Sequence, residues 1–356
     1  MYLALYNQLF VASEIIIFNI IGLFGNVNFI VLIYRNPHLR SKSSYLQCAL
    51  SFSHIICLLF ELPNAVLLFT GIRLHRSTCF PAISTYIFFI CAQAVIMLML
   101  VIDLFIIVFF TTFYRKMDNL QYTILMLLPP FVYATFTVTW GFLTMDDEIV
   151  IFCNPPLSLH PTVSRFWGLS CVLLNTVTLI LLVALLIFFH RKNQKKKEEC
   201  KLVARIKLTV IVFVISWYAG MLGVELFVRI GLKGDVLAFF QSNLVLFALI
   251  CYSQQFYATL WRSMEYRVAF MKLWNISRYG NSQAMSVELI NQLFVASEIL
   301  LFNILGLFGN INIICLTIYN PNLRSKSSYL QCALSFSHII CLLFELPNAV
   351  LLFTVI

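Results

Sequence analysis

Seven apolar stretches, at about 10–34, 45–70, 82–111, 122–143, 165–189, 204–228 and 236–260, leave this chain few folds to choose from. About 20 mostly apolar residues in a helix cover the roughly 30 Å of hydrocarbon in a bilayer. Lipid offers backbone N–H and C=O groups no partners, so a crossing segment must satisfy them within its own helix or in a closed barrel. These stretches are apolar all round, which selects helices over alternating barrel strands. The expected fold is an all-α membrane protein, with a seven-transmembrane helix bundle as its first unit. Only 11% of the residues are charged, against roughly a quarter in soluble domains, which excludes an ordinary soluble fold.

Residues 285–356 repeat residues 1–72 without a gap, and 57 of the 72 positions are identical. Met285 falls where Met1 falls, and 39–70 recurs unbroken as 323–354. A solenoid would show periods of about 20–50 residues, whereas here the offset is 284. The chain therefore divides into a seven-helix unit at 1–275, a linker at 276–291 and a truncated second copy of helices one and two at 292–356. That copy adds two extra apolar helices, at about 293–318 and 329–354. A recent tandem duplication is the economical origin. The appendage is read as a fusion of tandem copies with no role of its own, the alternative being a helix pair that docks in trans on a receptor as a swapped element does.

Lys and Arg sit in the loops and set the orientation. Up to residue 284, placing the first terminus outside puts 17 of them on the inner side and five on the outer. The expected topology has the amino end outside and 261–284 inside, with Asp146, Asp147 and Glu148 in an outer loop. Residues 1–8 lack the basic stretch of a cleavable signal, so the first span is expected to serve as its own. The second copy conflicts with this rule, because Arg324 and Lys326 would emerge outside whereas Arg40 and Lys42 lie inside. The net charge of +9 reads as topology, not as a nucleic-acid surface, since no basic face interleaved with aromatics occurs in a soluble segment. The bilayer is the expected partner and nucleic acid is not.

Eleven Cys include no C-x-x-C pair and none with His at metal-ligand spacing, so neither a metal nor a cofactor is expected. Cys79, just before the third span, and Cys153, between spans four and five, would both face an oxidising compartment. They are expected to form a bridge pinning that loop over the mouth of the bundle, the alternative being two free thiols. Ionisable groups inside a membrane are costly and mark functional hypotheses. Glu14, Glu61 and Glu225 fall near the outer ends of their spans and are expected to reach interfacial water. His54 is read as a satisfied core histidine, sharing a polar network with Asn26. No phosphate loop, HExxH or nucleophile elbow appears, and the chain is not read as an enzyme.

Gly25 and Asn26 in the first span, Cys79 with Asp103 placed 24 residues later, Trp217 midway along the sixth span and Tyr257 near the end of the seventh resemble the landmarks of rhodopsin-like G-protein-coupled receptors. More narrowly, LRSKSSYLQC at 39–48, Glu61 with Pro63 and Asn64, and SMEYRVAF at 263–270 are similar to nematode serpentine chemoreceptors, above all the class called SX. The resemblance spans residues 8 to about 275. It implies a receptor that binds a small molecule from outside and signals to a heterotrimeric G protein, in the plasma membrane of a sensory neuron cilium, as in olfaction. Helix-core landmarks carried over are Asn26, His54, Asp103, Leu104, Trp217, Ser253 and Tyr257.

The departures bear on coupling. Asp103-Leu104-Phe105 stands where such receptors read Asp-Arg-Tyr, and His54 stands where they carry a membrane-embedded Asp. The sixth span reads Ser216-Trp217-Tyr218-Ala219 without the usual proline, and the seventh reads Ser253-Gln254-Gln255-Phe256-Tyr257 in place of Asn-Pro-x-x-Tyr. By helical depth and by resemblance, a pocket opening outward between spans three, five, six and seven is expected to be lined by Tyr86, Ile90, Trp217, Met221 and Asn243. These are neutral, which points to a neutral or weakly polar ligand. Arg115 and Lys116, with Lys195, Lys196 and Lys197, are candidates to face the G protein, although the basic stretch at 190–201 equally suits orientation and anionic lipid. After the last span, Met264, Phe270, Leu273 and Trp274 are expected along one side of an interfacial helix. Asn275 and Ser277 form a sequon on the inner side, where it stays unmodified. A transporter would show inverted repeats and broken spans, and a receptor-like protein without signalling is the alternative that Leu104 favours.

Overall fold

A computed structural model of the chain describes residues 2–70, 74–150, 153–191, 242–274 and 329–342, together with single positions and short runs between 212 and 240 and residues 310 and 314. It contains two compact units, Met1–Phe270 and Met271–Ile356. The first is built from α1 (Tyr2–Arg35), α2 (Lys42–Thr70), α3 (Arg76–Phe109), α4 (Thr111–Lys116), α5 (Asn119–Leu143), α6 (Pro155–Ser158), α7 (Pro161–Arg191), a π-helical turn (Val214–Tyr218), α8 (Val245–Arg262) and α9 (Met264–Leu273). Among the described residues, five helices are long and apolar enough to cross a membrane: Phe10–Arg35, Lys42–Leu67, Arg76–Phe109, Asn119–Leu143 and Pro161–Arg191. They fall on the first five expected spans. The π-helical turn lies within the expected sixth, most of which is outside the described residues, and α8 covers the later part of the seventh.

Local chemistry places the breaks. Asn36 and Pro37 end α1, because proline disfavours a helical residue before it and supplies no N–H. Asp118 caps α5 by accepting from the Leu120 N–H at 2.9 Å, and Asn154 caps α6 by accepting from Leu157. Along α5, Leu120, Ile124, Leu128, Val132 and Phe136 recur every four residues and are each more than half exposed. Tyr122, Met126, Pro130 and Ala134 recur with the same spacing and are buried. An apolar stripe left open on this scale needs lipid, not water, as its solvent.

Lipid tails are as apolar as leucine, so helices in a membrane associate through close packing and polar contacts. α3 is central and packs against α2, α5 and α7, while α1 lies between α2 and α8. Two glycines allow that approach. A Cβ on Gly22 would stand 2.6 Å from both Leu58 Cδ1 and Ser253 Oγ, and one on Gly25 would stand 3.1 Å from Tyr257 Cε2. α9 turns Tyr266 onto Phe29, with ring centroids 5.8 Å apart, and Phe270 onto Phe256 at 5.3 Å. It leaves Met264 and Val268 exposed. Phe270 thus parts from the single apolar side expected of it, because the bundle offers aromatic partners.

One end of the bundle is closed by a cap. Cys79 at the head of α3 and Cys153 are joined by a disulfide, with Cα atoms 5.7 Å apart. Beside it, β1 (Leu74–His75) pairs antiparallel with β2 (Ile149–Val150), Leu74 opposite Val150. Arg76, 6% exposed, is the hub. Its Nη1 donates to both carboxylate oxygens of Asp146, its Nη2 to Glu148 Oε2 at 3.0 Å and its Nε to the Leu157 carbonyl at 3.3 Å. Arg76 is one of the five outer cations of the charge count, and its pairing with the acidic run has no local sequence signal.

The second unit is described chiefly at Tyr329–Leu342, a helix whose sequence is identical to the start of α2. Leu330 and Leu334 are 73% and 57% exposed, whereas the matching Leu46 and Leu50 are 0% and 4% exposed.

Gly22→Leu is expected to destabilise the first unit by about 1–3 kcal/mol through overpacking, seen as a lower midpoint in thermal unfolding of the detergent-purified protein. The cap adds a pH dependence. Loss of water around Asp146 works against its ionisation, but the Glu148 backbone N–H and the Arg76 guanidinium outweigh this and hold its carboxyl below the usual range. A lowered folded value means the contribution is complete above the unfolded value of about 4 and fades as the pH falls through the folded one. Protease cleavage between 144 and 152 should therefore rise only below about pH 4 in the native protein. Arg76→Met should remove that acid step.

Candidate functional site

A layer of polar side chains crosses the interior of the first unit, where partners have to come from neighbouring protein groups. Glu61 on α2 is 3% exposed. Its Oε1 accepts from the Tyr86 hydroxyl of α3 and its Oε2 from Asn64 Nδ2 at 3.2 Å. The expectation that Glu61 reaches interfacial water is overturned. A carboxyl two turns inside the helix end is better satisfied by a tyrosine on the facing helix than by extension to the surface. Glu14 is likewise buried, at 5% exposed, with Oε2 lacking a hydrogen-bond partner. Glu225 lies outside the described residues.

Below this pair stands Tyr252 of α8, fully buried. Its ring lies 5.7 Å from that of His54 and 6.1 Å from that of Trp217, which the π-helical turn carries. π-Helical turns widen the backbone and concentrate at functional positions. Here the wider turn stands where the sequence lacks a proline. His54 differs from its expectation twice. Neither ring nitrogen has a hydrogen-bond partner, so it is not a satisfied core histidine, and it makes no bond to Asn26. Asn26 Nδ2 instead donates at 2.8 Å to the carbonyls of Gly22 and Tyr252, so Tyr252 is the residue that both touch. Gln93 of α3 bridges Cys57 and Cys251, each sulfur 3.9 Å away.

Of the five pocket candidates, Tyr86, Ile90 and Trp217 share the main core cluster, and Tyr86 and Asn243 turn to partners outside spans three, five, six and seven. Tyr86 turns to α2 and stacks on Phe60 with centroids 6.4 Å apart. Asn243 donates to Asn7 Oδ1 on α1 at 2.7 Å. Ile90 packs in the main core cluster, Trp217 meets α8, and Met221 lies outside the described residues. The cause is the same in both displaced cases: a polar side chain at this depth goes where an acceptor is. The inference of a neutral ligand also loses its premise, because a carboxyl stands beside Tyr86.

At the end of the bundle opposite the disulfide, Asp103 on α3 is 1% exposed. Ser43 of α2 donates to its Oδ2, and the Tyr122 hydroxyl of α5 donates to Oδ1 at 2.7 Å. Lys42 Nζ donates to the Tyr114 carbonyl and lies 4.4 Å and 5.5 Å from the ring centroids of Tyr114 and Tyr122. Leu104 packs against the apolar cluster of Val101, Leu182, Leu185 and Phe189 between α3 and α7. Positive charge near Asp103 therefore comes from Lys42, not from position 104. Arg115 and Lys116 are exposed at the end of α4, and 195–197 lie outside the described residues. Ser253 donates to the Phe18 carbonyl at 3.2 Å, and Tyr257 to that of Ile21 at 2.9 Å, so both bind α8 to α1. The sequence shows Lys42 only as an inner charge and Ser43 only within the 39–48 motif, and gives Tyr122 and Tyr252 no role. Only a tyrosine placed one turn into a helix that starts at the membrane edge hinted at Tyr122.

A search of the curated proteins finds no match. The family model described as serpentine type 7TM GPCR chemoreceptor Srsx matches residues 19–274 and again 303–356. The first match takes in α2, α3, α5, α7 and α8 and both clusters built on Glu61 and Asp103. The chain belongs to the serpentine seven-transmembrane chemoreceptor family Srsx, an all-α family of integral membrane receptors.

Proposed function

We propose that the protein is a ligand-activated chemoreceptor of the plasma membrane, placed in a sensory neuron cilium. Its amino end and disulfide cap lie outside, and its Lys- and Arg-rich loops lie in the cytoplasm, where a heterotrimeric G protein binds. The observation that carries this reading is the connected layer running from Glu61 and Tyr86 to Trp217 and Tyr252. It joins α2, α3, the π-helical turn and α8, so a small molecule entering it would favour one arrangement of those helices over another. A ligand shifts such an equilibrium only through its different affinity for the two states. Asn26, His54, Ser253 and Tyr257 then act as seams between α1, α2 and α8. Arg115, Lys116 and 195–197 form the G-protein face.

Leu104 favours a second reading, a receptor-like protein without signalling, because an apolar side chain packed on α7 offers the G protein no cation. Lys42 opposes that reading, since it keeps a positive charge beside Asp103. Residues 285–356 take no part in either, and we read them as a fused second copy.

Nucleotide exchange on co-expressed G proteins should separate the two. The native chain is expected to promote exchange, and Lys42→Gln to reduce it, with Leu104→Arg adding little. Exchange seen only in Leu104→Arg would identify the native chain as uncoupled. For orientation, a tag at the amino end should stain on intact cells, and one inserted at 193–197 only after permeabilisation.

A further inference from the structure

Glu61 brings a carboxyl into the depth of the bundle, two residues before the Pro63 that removes one ladder bond from α2. Tyr86 and Asn64 donate one hydrogen bond to each of its oxygens, and both donors are neutral. Among the described residues, no Lys, Arg or His nitrogen stands within 4.0 Å of it. His54, two helical turns along α2, is about 10 Å away by helix rise. Each carboxylate oxygen has a second acceptor position, so Glu61 retains capacity after Tyr86 and Asn64 are counted.

The surroundings are aromatic. The Tyr252 hydroxyl is fully buried and faces Tyr86 and Glu61. Trp217 Nε1, its ring 6.1 Å from that of Tyr252 by centroid, has no hydrogen-bond partner. Phe60 stacks on Tyr86. Aromatic faces attract cations, and a buried carboxylate without a counter-charge is costly at membrane depth. A carboxyl at this depth ionises only with a counter-charge beside it; a neutral guest supplies none, and an anion opposes it. An ammonium brings three donors and one positive charge.

We propose that this layer is the ligand site and that it takes a small protonated amine, with the ammonium on Glu61 and the carbon skeleton against Tyr86, Tyr252 and Trp217. The proposal rests on the receptor reading and replaces the expectation of a neutral ligand. Tyr86 is seven residues along α3 from Cys79, so the site lies about 10 Å beneath the disulfide and is entered from the capped end.

The test uses the purified full-length chain in lipid nanodiscs and needs no G protein. Thermal stabilisation is measured with methylamine, n-butylamine and 2-phenylethylamine, each against the alcohol of the same skeleton, and against a sodium chloride series. At least one amine should bind about tenfold or more tightly than its alcohol, the range of a charged over a neutral hydrogen bond. Glu61→Gln should erase that advantage and Glu61→Asp should keep part of it. Should Glu61→Gln not fold, the amine and alcohol comparison on the native chain decides alone, and Tyr252→Phe, which keeps the ring and loses the hydroxyl, should weaken the amine. The proposal falls if no amine outdoes its alcohol, if the advantage survives Glu61→Gln, or if sodium alone gives the whole stabilisation. Amine binding without nucleotide exchange would sink the receptor reading and leave the site standing, whereas exchange with indifference to amines would sink the site alone.

Discussion

Hydrocarbon contains no water, and that deficit decides which surfaces of these helices meet. A polar side chain in a span must find its partner on the same helix or on a neighbour. Asn26 reaches the Tyr252 carbonyl, Gln255 the Gln47 carbonyl at 3.1 Å and Ser253 the Phe18 carbonyl, so three separate bonds hold α8 to α1 and α2. Interhelical bonds of this kind are worth about 0.6–2 kcal/mol each. They add to the close approach that Gly22 and Gly25 permit. Adhesion and register come from the same few positions, because apolar surface alone would fit lipid as well as protein.

What sequence reading reaches, and where it stops, follows from this. A span announces itself by composition over 20 or more consecutive residues, so α1, α2, α3, α5 and α7 are legible where Asn36 and Pro37, Asp118 or Asn154 punctuate the chain. Partner choice is not a property of any window. Arg76 meets Asp146 70 positions away, Tyr86 meets Glu61 25 away, and Asn243 meets Asn7 236 away. Helical depth singled out Tyr86 and Asn243 and could not say which way each would turn. Their direction is set by the acceptor that a facing helix offers, and for Tyr86 that acceptor is the carboxyl that depth alone had assigned to interfacial water.

The repeated segment is an internal control on the same point. Residues 45–58 and 329–342 are identical and both helical, so local propensity produces the element in each setting. Burial differs: Leu46 and Leu50 are enclosed by the first unit, while Leu330 and Leu334 are exposed. The helix belongs to the sequence, and the core belongs to the neighbours. A match of the family model to 303–356 therefore carries the lineage of that segment without Tyr86 of α3 or Tyr122 of α5, on which the Glu61 and Asp103 clusters depend.

The Asp103 cluster shows how a function can persist through an altered motif. Both carboxyl oxygens are occupied by neutral donors, Ser43 and Tyr122, so the local structure does not depend on a cation at position 104. Leu104 is accordingly free to serve the apolar contact between α3 and α7. Lys42 is held by one carbonyl and two ring faces, which fix a point charge less rigidly than a forked guanidinium bond would. In the proposed orientation, the cation nearest Asp103 at the basic end therefore comes from α2 and not from α3, and it is buried.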